Sequence, residues 1–494
     1  MQTAKQKLKR AAPWLFLLLV LAGLAAVRGL AANYEIGYEI MNGDFQNYNP
    51  VRHLLAGQVP YRDFTVYLGA GELYSVGGLL LVLGNSFGRS MFATNFCTWF
   101  YFELLVLAVC LVVIGTARAA RAAALALCSV FFAYVQGANL PFAGQVNTLL
   151  SYAAANGNSA RMMRSAALTL AVLVILLGLH FWQQDTSRRL LAPAVLVPFA
   201  AGFFVPWSND MGGAAYISIA LGYGLYLIRL YRSSIGKIVV QTLRYIVTSV
   251  VGLGVSVLLI SWGHPLAWLR QTRGTSAYQT WYYGNTLSDR VCSVADLHWP
   301  GAAVFCLAAA LAFAIGIFVC RSKRSAVLAA GGFALTLGMV LWNLLYGMVS
   351  ASNNGPTGGA AALAAVLALA CIIKAVLLVC QKVSFPQVAA RIVPAGCAVL
   401  GAAVLAVGLA GADPHWRARG LYLCAGAGRL DRRPGRKAGN RKGTDGGQAA
   451  VWHLFQRAGS HDWPAAAYRH GLHHPCPGGS PTPGVPANLP AGEF

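Results

Sequence analysis

Apolar residues in this chain fall into long blocks separated by short polar connections. A helix that crosses a hydrocarbon layer about 30 Å thick needs about 20 such residues in a row. Blocks of this kind lie near 12–31, 66–85, 93–116, 120–135, 163–183, 190–206, 212–231, 239–261, 301–320, 325–348, 359–380 and 391–412, and a weaker one lies at 143–156. Counting the weaker block predicts an all-α, polytopic integral membrane protein of about 13 transmembrane helices with a long first outer loop. Without it the parity changes and a neighbour must be re-entrant. The first block follows Lys5, Lys7, Lys9 and Arg10 and is long for a signal peptide, so it reads as an uncleaved first helix with its N-terminus in the cytoplasm.

Composition supports the membrane reading. Of the 494 residues 57% are hydrophobic and 11% charged, with mean hydropathy +0.56, too little charge to cover a soluble protein of this size. The net charge of +23 raises the question of nucleic acid. The cations lie in short connections rather than on one face, no recognition motif accompanies them, and no nucleic-acid partner is expected. Eleven cysteines lie mostly inside apolar blocks without CxxC spacing, which argues against a disulfide framework or a cysteine metal site.

Charge also orients the blocks. With the N-terminus inside, cytoplasmic connections collect Arg188, Arg189, Arg229, Arg232, Lys237, Arg244, Arg321, Lys323, Arg324, Lys382 and Arg391. Connections 32–65, 207–211, 262–300 and 349–358 then face outward. Arg118, Arg121, Arg161 and Arg164 are out of place, because the same count puts them outside.

The candidate chemistry lies in the outward connections. Residues 42–74 place Asp44 in a polar loop beyond the first helix, followed by a short amphipathic run from Val51 to Leu55 that includes Arg52. A turn at 57–60 leads to Tyr61-Arg62-Asp63, and Glu72 lies near the outer edge of the next block. A carboxylate held at a bilayer edge is costly and marks a functional candidate, against the plainer possibility of a solvated loop. Asp210 ends another block within 205–212. Connection 262–300 offers His264, Arg270, Arg273, Trp281 and Tyr282: cations suited to phosphate, and aromatic faces suited to a sugar ring or to the lipid interface.

From about residue 413 the texture changes. Residues 413–494 are rich in Gly, Pro, Arg and His, and hold six of the ten histidines. A metal-binding tail and a disordered linker are two readings. A third is out-of-frame translation of GC-rich DNA, since residues 439–475 can be read in a shifted frame without a stop and with globular texture. On that reading 1–412 is the membrane domain and 413–494 stands in place of a small outer C-terminal domain. Sequencing the gene across this region tests it, and a clean single frame would refute it.

A first helix, an outer loop with an acid, the Pro60-Tyr61-Arg62-Asp63-Phe64 turn and a second helix together resemble the GT-C superfamily of polytopic glycosyltransferases, including protein O-mannosyltransferases and lipid A aminoarabinose transferases. The resemblance covers 12–90 well and the later blocks to 412 diffusely. It implies a GT-C-like fold, an active site on the extracytoplasmic side of the cell membrane, and Asp44 as catalytic base. Members often carry a DE or DD pair where this chain has Asp44-Phe45, and a lysine before their second motif where this chain has Trp207-Ser208-Asn209-Asp210.

The residues themselves allow the same chemistry. An acceptor hydroxyl must lose a proton as it attacks an anomeric carbon, so a carboxylate is needed within reach. With no glycine-rich phosphate loop, the donor reads as a polyprenyl-phosphate-linked sugar. Its leaving phosphate needs Arg or Lys, and Arg270 or Arg273 would meet it. The resemblance implies a glycan, lipid or protein of the envelope as the acceptor. Asp210 is then a second acid that orients the acceptor or a divalent metal ion. Two other classes compete. A lipid-linked sugar flippase or transporter would use mid-span ionisable groups, here Glu72, Glu103 and Lys374. An O-antigen-type polymerase or ligase would use the arginines and histidines of 262–300 in place of Asp44.

Overall fold

The computed structural model describes residues 4–32, 41–135, 161–184, 195–283, 300–349 and 355–382. The chain separates into Met1–Ala427 and Gly428–Phe494, and every described residue belongs to the first. The block at 391–412 and the tail 413–494 lie outside the described residues.

Among the described residues the structure is helical throughout, apart from an isolated bridge between Pro60 and Phe64. The helices are α1 (Ala4–Ala32), α2 (Met41–Leu55), α3 (Ala70–Leu83), α4 (Phe87–Ile114), α5 (Ala117–Val135), α6 (Arg161–Gln184), α7 (Val197–Phe203), α8 (Met211–Tyr231), α9 (Ile235–Ile260), α10 (Pro265–Tyr283), α11 (Pro300–Val319), α12 (Lys323–Val349) and α13 (Gly355–Lys382). A 3₁₀ turn, Val205–Trp207, joins α7 to α8. Among the described residues seven helices are long and apolar enough to cross a membrane: α1, α4, α8, α9, α11, α12 and α13. They mark the chain as a membrane protein.

The bundle is built around α4. Its start is capped by the Ser86 hydroxyl, which accepts from the Arg89 N–H at 3.3 Å, and it ends at Gly115 in the left-handed region, φ 79°. Trp99, Phe102 and Leu105 on α4 are fully buried. Two directions follow from the contacts of this helix. At its C-terminal end Arg324 donates to the Gly115 carbonyl at 3.1 Å, and Lys374 donates to that of Ile114 at 2.8 Å. Cations there oppose the negative end of the helix dipole. Arg229 likewise donates to the carbonyl of Cys320, just past α11. This is the Gly115 end of the bundle. The other is the Asp210 end, where α8 begins.

The block at 66–85 forms a helix shorter than a full span, and the count of about 13 spans is not reached among the described residues. The helix within it, α3, has 14 residues, or about 21 Å at 1.5 Å per residue, well short of 30 Å. It runs back along the first half of α4. Near its start Ser75 shares a 2.7 Å hydrogen bond with Tyr101. Its far end reaches the turn before Phe87, where Tyr48 of α2 donates to Asn85 at 3.0 Å and Phe45 touches Phe87. Both ends of α3 therefore belong to the Asp210 end of the bundle.

A chain without that crossing would reverse α4 and bring Arg118 and Arg121 to the end where Arg324 lies, while Arg164 would stay at the other. Arg118 and Arg121, at the start of α5, lie at the Gly115 end with Arg324, and Arg121 sits 4.8 Å above the Trp14 ring of α1. Arg164 lies at the Asp210 end. Arg161 also begins α6, but its side chain lies outside the described residues. The weaker block at 143–156 lies outside them too. The helices flanking it, α5 and α6, end and begin at the Asp210 end.

Candidate functional site

The turn after α2 is closed by its own backbone. The Val59 carbonyl accepts from the N–H groups of Arg62 and Asp63 at 3.3 and 2.9 Å, and Tyr61 N–H donates to Phe64 at 3.2 Å. The Asp63 carboxylate completes the ring by accepting from the Val59 N–H at 2.8 Å. This geometry forces Tyr61 to φ 66°, uncommon for a non-glycine residue, and buries its side chain with no partner for the hydroxyl. Burial, with Tyr74 nearby, raises the Tyr61 phenol above its ordinary range.

Arg62 forks onto Asp63 with bonds of 2.8 and 3.1 Å. The Arg62 hydrogen bonds, then the Val59 N–H, hold the Asp63 carboxyl down at about 2. The same guanidinium reaches His264 Nε2 at 3.3 Å. His264 precedes α10, whose first residue is Pro265, a residue suited to the first turn because it brings no unsatisfied N–H. Arg62, Asp63 and His264, expected as site residues from separate parts of the sequence, thus form one group.

A second set of bonds ties this turn to the corner before α8. The Asn209 side chain donates to the carbonyls of Val66 and Tyr67 at 3.3 and 2.6 Å, and its N–H donates to Leu68 at 3.3 Å. Gln271 of α10 donates to the same Val66 carbonyl at 3.2 Å. The backbone at Gly69, φ 115°, then passes so close to Trp207 that a Cβ on Gly71 would overlap the indole. Gly71→Ala should therefore destabilise the protein by roughly 1–3 kcal/mol by overpacking. Gly78→Ala, in the same helix but with open space at its Cβ, should be near neutral. Thermal unfolding of the two variants in detergent checks this, and equal behaviour would refute the contact.

At the corner itself Asp210 caps α8. One oxygen accepts from the Ser208 hydroxyl at 2.6 Å and the Met211 N–H at 2.8 Å; the other takes an ion pair with Arg164 at 3.0 Å. The pair is largely shielded, with side chains 11% (Arg164) and 25% (Asp210) exposed. Burial works to raise the Asp210 carboxyl. The Arg164 charge, the Ser208 hydroxyl and the Met211 N–H together outweigh it, and the net shift is downward. Glu72, at the start of α3, is buried with one oxygen unpartnered and feels the same Arg164 charge.

Not every expected residue joins this group. Asp44 is the fourth residue of α2, so the polar loop read from the sequence is a helix there; its side chain lies outside the described residues. That helix packs on α3, with Val51 and Leu54 against Gly77. Arg52 donates to Asn49 at 3.1 Å along α2. Part of connection 262–300 is also a helix, α10, which turns Trp268, Gln271 and Thr272 inward and Arg270 and Arg273 outward. The two arginines are therefore on the face away from the Arg62–Asp63–His264 group. Trp281 and Tyr282 fall in the last turn of α10 with side chains outside the described residues.

Arg164, Trp207, Asn209 and Gln271 were missed as site residues. Only Arg164 left a trace in the sequence: an arginine on the wrong side of the charge count requires an acid at its own depth. Among the mid-span ionisable groups, Lys374 is bound to the end of α4, and Glu103 is fully buried with neither oxygen partnered. Among the described residues no three His, Cys, Asp or Glu side chains gather as metal ligands. Both oxygens of Asp63 and of Asp210 accept hydrogen bonds from protein groups. No family model matches the chain, and no curated protein and no solved structure matches it.

Proposed function

We propose that this protein is a GT-C-like membrane glycosyltransferase that moves a sugar from a polyprenyl-phosphate donor to an envelope glycan, lipid or protein. The observation that carries the reading is the convergence at the Asp210 end. Turn 59–69, the Asp210 corner and the start of α10 are laced into one polar group at the foot of α3, which packs on the helix bearing Asp44. The sidedness rests on charge. Arg118, Arg121, Arg229, Arg321, Lys323 and Arg324 gather at the Gly115 end, which the positive-inside bias assigns to the cytoplasm, so the polar group faces outward.

In this reading the acceptor oxygen forms a bond to the anomeric carbon as its proton passes to the Asp44 carboxylate. The bond from that carbon to the donor phosphate breaks, and the electron pair leaves with the phosphate. Arg62, with His264 beside it, lies past the C-terminal end of α2, about 16 Å along that helix from Asp44, so it would hold a more distant polar part of the donor rather than the leaving oxygen. Arg164 and Asp210 hold the corner on which the turn rests. A strain lacking the gene, profiled by mass spectrometry, should lose a sugar from an envelope glycan and accumulate its lipid-linked donor. Unchanged profiles would refute the transferase reading. The Arg62–His264 contact also favours a polymerase or ligase using the same patch. Loss of the glycan in His264→Ala, with Asp44→Asn intact, would select it.

A further inference from the structure

The helical turn of 100° per residue divides α10 into two faces. Trp268, Gln271, Thr272 and Thr275 point inward, and Trp268 packs on the buried cluster around Tyr61 and Leu73. The opposite face carries Leu266, Leu269, Arg270 and Arg273, all exposed, the two leucines by 66% and 56%. Nothing in the polar group described above uses this face.

Its apolar half follows directly on a helix long and apolar enough to cross a membrane. The outer face of α9 exposes Val247, Val250, Val251, Leu258 and Leu259 along a helix long and apolar enough to cross a membrane. After the turn at Trp262, 45% exposed, and Gly263, exposed apolar side chains resume at Leu266 and Leu269. Arg270 and Arg273 follow on the same stripe, at i+4 from Leu266 and Leu269. Cations at the end of a lipid-facing strip stand where bilayer phosphates lie, and arginine forks suit phosphate oxygens.

We propose that the outward face of α10 is a docking surface for anionic phospholipid head groups of the surrounding leaflet. Trp262, Leu266 and Leu269 enter the acyl boundary, and Arg270 and Arg273 pair with head-group phosphates. The site is separate from the transferase reading and stands without it.

The test uses the full chain in detergent, with phosphatidylglycerol or phosphatidylcholine of the same chains added and retained lipid counted by native mass spectrometry. Wild type should retain phosphatidylglycerol in preference. Arg270→Gln with Arg273→Gln should weaken that retention on the order of fivefold per arginine. Arg270→Lys with Arg273→Lys should keep most of it, which separates charge from folding. Arg321→Gln, at the Gly115 end, should change nothing. Equal retention of the two lipids, or by the glutamine pair and wild type, would overturn the proposal. So would an equal loss in Arg321→Gln, which would mean bulk charge. Displacement of the lipid by millimolar inorganic phosphate would also overturn it, because the surface would then be a soluble-phosphate site.

Discussion

Asp44→Asn, expressed at the wild-type level in a strain lacking the gene, is expected to leave the envelope glycan unrestored and the lipid-linked donor accumulated. Asparagine keeps the size and much of the hydrogen bonding of aspartate but cannot take a proton from an attacking hydroxyl. A general base of this kind is worth typically 10²–10⁴-fold in rate, so the loss should be near complete in a complementation assay. Asp63→Asn makes a useful contrast. Asp63 already holds the Arg62 guanidinium and the Val59 N–H, so its loss should loosen the turn without removing the base. If Asp44→Asn restores the profile fully, Asp44 is a helix residue with no part in the chemistry.

Arg164→Met is expected to cost about 3 kcal/mol of stability in detergent, because it leaves the Asp210 carboxylate without its ion-pair partner in a largely shielded corner. Arg164→Met combined with Asp210→Asn should cost clearly less than the sum of the single changes, the mark of a direct coupling. The pH dependence has a definite sign. Asp210 is held below its ordinary value, so the advantage of wild type over the double variant is complete above the ordinary carboxylate range and is lost as pH falls below it. Thermal unfolding of the four proteins at two pH values measures both effects. Additive single changes would show that the pair contributes nothing. The same corner carries Asn209, so Arg164→Met should also loosen turn 66–68 and make it more sensitive to limited proteolysis.

The helices were easy to read from the sequence because a 20-residue apolar run has few other uses. Their directions were not. Hydropathy averages over a window, and 66–85 scores as a span although the helix in it has 14 residues. Charge exposed the fault without locating it, since Arg118 and Arg121 fell on the wrong side. The polar stretches were harder still. Residues 41–55 and 265–283 read as loops because their side chains lack a single apolar stripe, yet both are helices resting on a neighbour. Residues 61–63 and Asp210 were identifiable from charge near a membrane edge. The neighbouring Asn209 and Gln271 were not, because both bond to the main chain at Val66, and a backbone acceptor has no signature in a sequence. Arg270 and Arg273 were legible as phosphate ligands, but the face of the helix that carries them depends on which neighbours α10 meets.

The shortness of α3 also bears on how the chain is made. On the proposed orientation, the segment between α1 and α4 is handed across the bilayer as one piece, and that piece contains Leu79-Leu80-Leu81-Val82-Leu83. Insertion machinery that samples hydrophobicity meets a run greasy enough to slow it and too short to stop it. On that orientation, a few added apolar residues in α3 should give the machinery a stop signal, invert α4 and leave the composition almost unchanged.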